Sequence, residues 1–301
     1  MDLATLTQSM TFVALIVTML ATGLGVRWTE VLAAAKQVRF VLLALSANFL
    51  FVPAATAGLL WWFHPEPMIA AGFLILAACP GAPVGPLFAS IAKADVPAAI
   101  GLMVILAGLS AILSPILLAT LLGFFCSQSE LQVHYLAIVQ TLIATQLLPL
   151  AIGMAMLAYL PQQARRIVKP LHALANLLLV AVTALIVVLQ WEMLVSIRTQ
   201  GWFGMLLLLA SSLAIGWICG GPQETARATL AVTTGVRNAA VGLVIVANNF
   251  AGTAAATALV AYALVSIFGT LGWALLYSVR KTAKGSSTRS TIPTSAPNLR
   301  G

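Results

Sequence analysis

The chain has 301 residues, of which 61% are hydrophobic and only 7% charged, with a mean hydropathy of +1.04. A soluble domain carries about 25% charged residues, so this chain cannot clothe a water-facing surface, which excludes a soluble enzyme or a nucleic-acid binder. The net charge of +8 reads as loop charge on one side of a membrane.

The chain opens with MDLATLTQSM, which has no basic segment, so no cleaved signal peptide is expected. A helix needs about 20 apolar residues to cross a bilayer core. Splitting the apolar runs at polar or Pro/Gly punctuation predicts nine spans, at about 9–26, 38–63, 67–93, 96–124, 132–160, 168–191, 202–221, 223–249 and 252–279. Residues 280–301 turn polar and rich in Ser, Thr and Pro, which predicts a disordered tail after a transmembrane domain of residues 1–279. The three cysteines form no CxxC or His/Cys metal spacing.

Basic residues set the predicted orientation. With nine spans, Arg27, Lys36, Arg39, Lys93, Arg165, Arg166, Lys169, Arg227, Arg280, Lys281, Lys284, Arg289 and Arg300 share one side, and Arg198 stands alone on the other. This asymmetry predicts a cytoplasmic C-terminus and an outer N-terminus in the cell membrane. Arg237 falls on neither side, because it lies inside a span.

Two spans are interrupted. In the third, Pro80, Gly81, Pro83, Gly85 and Pro86 crowd seven residues; each proline removes an amide donor and clashes with a preceding carbonyl, so an unwound stretch is predicted at Pro80–Pro86. In the eighth, Thr233, Thr234, Gly235, Arg237 and Asn238 cluster, and a break at Thr233–Asn238 is predicted. Arg237 lies ten residues beyond Arg227, and Pro83 ten before Lys93. That is about 15 Å of helix, half of a ~30 Å core. Paired broken helices meeting near the midplane point to the binding site of a secondary transporter.

These segments resemble a known family. CPGAPVGPLFASIAKADV is similar to the CPGG…ARGNV segment of the bile acid:sodium symporter family, and TTGVRNAAVGLVIVANNF to its E-x-G-x-Q-N segment. NFLFVPAATAGLL resembles the family's Q-F-x-x-x-P helix, and LSAILSP matches a helix that follows the first break. The chain is identified as a nine-helix member. The resemblance implies an all-α, inverted-repeat membrane transporter whose two discontinuous helices cross. It implies a core of spans within 38–124 and 202–279, beside a panel of spans 9–26, 132–160 and 168–191.

The resemblance also carries sodium-binding positions onto Gly85, Pro86, Ala99, Met103, Thr233 and Arg237, with Asn48 near the preceding helix. Where the family has Ser, Asn, Ser, Thr, Glu and Gln, this chain has lost most oxygen ligands. Sodium, a hard cation, wants several oxygens. Coupling to sodium is therefore expected to be weakened or lost, although sodium stays the candidate coupling ion and no other cofactor is implied.

Arg237 is the sharpest feature. An arginine at bilayer depth costs about 2.5–3.5 kcal/mol on insertion scales, stays protonated, and offers a planar fork suited to a carboxylate. It is read as a fixed cation in place of sodium or as an anchor for an anionic substrate; the alternative is a structural arginine that binds carbonyls freed at the break. The candidate site is Arg237, Asn238, Thr233, Thr234, Asn48, Pro83, Gly85 and Pro86.

The function read from these residues is secondary transport of a small organic anion by alternating access, by a monomer or homodimer in the bilayer, with no nucleic acid involved. Ordinary sodium symport of such anions is the first alternative. A membrane-embedded enzyme is the second, and the sequence speaks against it: DDxxD, HExxH and GxSxG motifs are absent, and the acids lie near span ends.

Overall fold

The computed structural model describes residues 3–125, 135–250 and 252–289. The described residues are helices and their connections. Helix α1 (Leu3–Gly25) is followed by α2 (Trp28–Lys36), a short helix between the first two predicted spans. Helices α3 (Val38–Ser46) and α4 (Val52–Phe63) form one span, joined by a π-helical turn at Ala47–Phe51. A second π-turn, Ile143–Leu147, joins α8 (Tyr135–Leu142) to α9 (Leu148–Tyr159). Each π-turn ends two residues before a proline, Pro53 or Pro149. Proline has no N–H and crowds the carbonyl four residues back, and an i→i+5 turn relieves that crowding. Each π-turn also carries a fully buried amide side chain, Asn48 or Gln146.

The third expected span is split into α5 (Pro67–Ala77) and α6 (Gly85–Ile91). After it come α7 (Val96–Phe125), α10 (Pro161–Leu189), the short α11 (Trp191–Val195) and α12 (Thr199–Cys219). The eighth expected span is split into α13 (Glu224–Gly235) and α14 (Ala239–Asn249), and α15 (Ala254–Arg289) closes the described chain. Among the described residues eight helical segments are long and apolar enough to cross a membrane, with α13 and α14 taken as one; α5 is too short to count, because the break divides its span.

Three boundaries differ from the sequence reading. The first break spans residues 78–84, so Gly85 and Pro86 already belong to the first turn of α6. Proline is tolerated there because its missing N–H has no helical partner to lose. The second break is only Val236–Asn238, and Thr233 and Thr234 remain helical in α13. Helix α15 continues past residue 279 to Arg289, into the stretch expected to be disordered; residues 290–301 lie outside the described residues.

Two sets of helix, broken helix and helix stand in the chain: α3–α4, α5/α6, α7, and α12, α13/α14, α15. The first broken helix runs from the His64–Glu66 end toward Lys93, and the second runs the opposite way, from the Arg227 end. This is an inverted repeat. Helix α1 packs on α9 and α10, where a Cβ on Gly23 would meet the Leu150 carbonyl at 2.3 Å and the Gly153 Cα at 3.0 Å. The Gly216/Gly220 spacing, which suggests a dimerisation face in sequence, is used internally: Cβ atoms there would collide with Leu230 O and Arg227 Cα of α13. Large apolar side chains such as Trp61, Trp62, Phe124 and Val188 point outward, as lipid contact requires.

Candidate functional site

The two breaks touch. The Asn238 backbone N–H donates to the Cys79 carbonyl at 2.8 Å, and Asn238 Nδ2 reaches the Gly81 carbonyl at 3.4 Å. Ser114, next to Pro115 in α7, donates its hydroxyl to the Ala78 carbonyl. Three carbonyls released by the first break are thus answered by side chains and backbone of other elements, which non-helical backbone at membrane depth requires. Gly81 has φ +84°, and a Cβ on it would lie 2.5 Å from the Ala107 amide nitrogen of α7. Only glycine satisfies both the left-handed backbone and that approach.

Asn238 is the N-cap of α14 and accepts from the Val241 N–H at 3.3 Å. Beside it, Arg237 is 2% exposed, the largest fully buried side chain in the described chain. Its Nη1 donates to Asn48 Oδ1 at 3.1 Å. Asn48 Nδ2 donates in turn to the Ala44 carbonyl at 2.9 Å and to Thr234 Oγ1 at 3.3 Å. The π-turn of the second span therefore holds the second broken helix by one amide.

Arg237 Nε and Nη2 have no hydrogen-bond partner. These two nitrogens form the side-on edge of the guanidinium, the edge that grips a carboxylate in two parallel bonds. The electrostatic neighbours of the guanidinium are Tyr262 and Cys79, neither of them a carboxylate. The described acids that are hydrogen-bonded serve elsewhere: Glu30 accepts from Arg27 N–H, Asp95 caps α7, and Glu224 accepts from Tyr277. Among the described residues no break carbonyl accepts a hydrogen bond from the Arg237 side chain, whose partner is Asn48.

The remaining predicted residues contribute less polar chemistry. Thr233 turns its hydroxyl back onto the Thr229 carbonyl at 2.9 Å and shows its methyl to Gly85, 3.5 Å from where a Cβ would sit. Ala99 packs with Ala82, Phe88, Val232 and Val236 in an apolar cluster, and Met103 belongs to the main core. Pro83 and Pro86 are half-buried and supply no donor. Among the described residues no group of three His, Cys, Asp or Glu is placed to hold a metal ion.

Sequence reasoning missed the facing wall. Tyr262, Ser266 and Thr270 form a buried stripe on α15, at the i, i+4, i+8 spacing of one helix face. Ser212 stands beside the Tyr262 hydroxyl, yet no hydrogen bond of normal geometry reaches that hydroxyl or that of Thr270. The spacing was visible in the sequence of the last span. Gln146, which donates to the Ala107 carbonyl and to Ser110 Oγ, was also missed.

A cavity of about 620 Å³ opens at the His64–Glu66 and Arg198 end and is walled by α4, α5, α12 and α15. It does not include Arg237. Phe73, on its wall, rests against Tyr262 with 5.7 Å between ring centroids, and Tyr262 is an electrostatic neighbour of the guanidinium.

An inverted repeat with two broken helices joined at their breaks, in a chain of membrane-spanning helices, defines a polytopic membrane transporter. The family comparison agrees: the model of the Sodium Bile acid symporter family matches residues 12–197, and the chain belongs to that family. The matched stretch holds the first broken helix; Arg237 and the second lie beyond it. A comparison with curated proteins returned no match.

Proposed function

We propose that this protein is a secondary carrier for a small organic anion, with Arg237 as its fixed anion anchor and with sodium coupling weakened or lost. One observation carries the reading: a fully buried guanidinium with its side-on edge unpartnered and, among the described residues, no carboxylate bonded to it. Burying donors without acceptors costs about 1–3 kcal/mol each, more when they are charged. An anionic ligand removes that cost and neutralises the charge.

Sodium symport is disfavoured by the same geometry. Asn48 Oδ1 is occupied by Arg237, Thr233 turns its methyl to Gly85, and Ala99 and Met103 lie among apolar side chains. A guanidinium among these positions repels a second cation.

Alternating access is proposed to move the helices around the crossing past the group of α1, α9 and α10. The cavity at the Arg198 end is the proposed entry, and the basic side is taken as cytoplasmic. The protein works as a monomer or homodimer in the cell membrane. The membrane-enzyme alternative is not supported by any cluster of acids among the described residues.

The test is a ligand-stabilisation screen of purified protein against organic anions, with and without sodium. Stabilisation by an anion that needs no sodium, and that Arg237→Gln abolishes, is the expected result. Stabilisation that requires sodium, or that survives in well-folded Arg237→Gln, refutes the reading.

A further inference from the structure

We propose that the carrier is an obligatory, electroneutral exchanger of monoanions, which returns across the membrane only when another anion is bound. This rests on the anion-site reading above and adds a transport mode to it. A coupling sodium ion leaves with the substrate, so a sodium-driven carrier resets with its cation gone. Here the cation is a side chain. Arg237 is bonded to Asn48 of the first repeat, and the adjacent Asn238 amide to Cys79, so the charge stays at the crossing in every state that keeps those contacts.

An arginine does not discharge by losing its proton. The site offers no internal counter-charge: its electrostatic neighbours are Tyr262 and Cys79, and no carboxylate of the described chain hydrogen-bonds to it. Empty, the site is therefore an unneutralised monovalent cation buried in the protein interior. With a monoanion on the Nε/Nη2 edge it is a neutral pair. Moving the bare cation past apolar neighbours is costly, and moving the neutral pair is not. The loaded form crosses and the empty form stalls. A single negative charge balances a single arginine, which makes monoanions the ligand class and leaves nothing for the membrane potential to act on.

The experiment uses the full chain in proteoliposomes, with labelled taurocholate, pyruvate and acetate as probes. Vesicles contain either the same unlabelled acid or sucrose alone. Uptake into acid-loaded vesicles is expected to exceed uptake into sucrose vesicles on the order of a hundredfold, the rate equivalent of carrying one uncompensated arginine. It is also expected to ignore a potassium potential set with valinomycin. Equal uptake into both vesicles, or uptake that follows the potential, overturns exchange; if Arg237→Lys retains that uptake while Arg237→Gln loses it, the anion site itself stands. Exchange by Arg237→Gln at the wild-type rate overturns both readings. Uptake of no probe by either kind of vesicle refutes the carrier reading, and exchange with it.

Discussion

Asn48 and Arg237 are 189 positions apart in the chain and meet at 3.1 Å, Oδ1 accepting from Nη1. The same amide donates from Nδ2 to Thr234, two residues before the second break. One neutral side chain thus holds the cation in place and leaves its charge uncompensated. Asn48→Asp is expected to close an internal ion pair in its stead. Breaking or making a buried charged contact shifts stability by a few kcal/mol. Asp cannot replace the Nδ2 bonds to the Ala44 carbonyl and Thr234, so the variant should melt no higher than the wild type, and it should bind anions at least tenfold more weakly. A calorimetric titration together with a melting curve checks both, and undiminished anion binding by Asn48→Asp counts against the role given to the arginine.

Arg237→Gln removes the charge. A charge-assisted bond in a dry site is worth about 2–3 kcal/mol, so anion binding is expected to weaken roughly a hundredfold. Stability should hold or rise, because two unpartnered donors disappear. Arg237→Lys keeps the charge but not the fork and is expected to retain partial affinity. If instead both variants melt markedly lower and bind anions unchanged, the arginine is a structural cap of the break.

The crossing itself is testable through Gly81 and Asn238. Gly81→Ala forces a Cβ against the Ala107 backbone in a left-handed conformation, with an expected cost of a few kcal/mol. Asn238→Ala removes the α14 cap and the contact to Gly81, worth about 1–2 kcal/mol. Thermal denaturation in detergent should rank Gly81→Ala below Asn238→Ala, and both below the wild type. A wild-type melting temperature for Gly81→Ala refutes the contact between the break and α7.

Sodium dependence tests the proposed loss of coupling. Uptake at fixed anion concentration is expected to stay flat when sodium is exchanged for potassium. A steep rise with sodium, with a Hill slope near two, contradicts the loss of ligands at Gly85, Pro86 and Thr233.

Orientation is checked by a cysteine at Ser295 in a chain with the native cysteines removed. An impermeant maleimide should label it in inside-out vesicles and not in intact cells. Labelling from outside the cell reverses the assignment made from the basic residues.

Membrane insertion, the approximate spans and the existence of two breaks were determined by the sequence alone. These depend on local properties: apolar length, proline and glycine density, and the cost of a charge at depth. The polar residues of the eighth span were legible for the same reason. Where each break begins and ends was not, because Gly85 and Pro86 start a helix when the preceding carbonyls find partners elsewhere, and those partners, Ser114 and Asn238, come from distant elements. The partner of Arg237 lay equally out of reach. Asn48 stands in a span that reads as uniformly apolar around it, and its amide is aimed by a π-turn and a helix packing that no local pattern encodes. The Tyr262–Ser266–Thr270 stripe had a visible helical period, but only the tertiary structure shows which neighbour its face meets. Whether a buried polar group is satisfied depends on what stands opposite it, so the unpartnered edge of Arg237 belongs to the packed molecule.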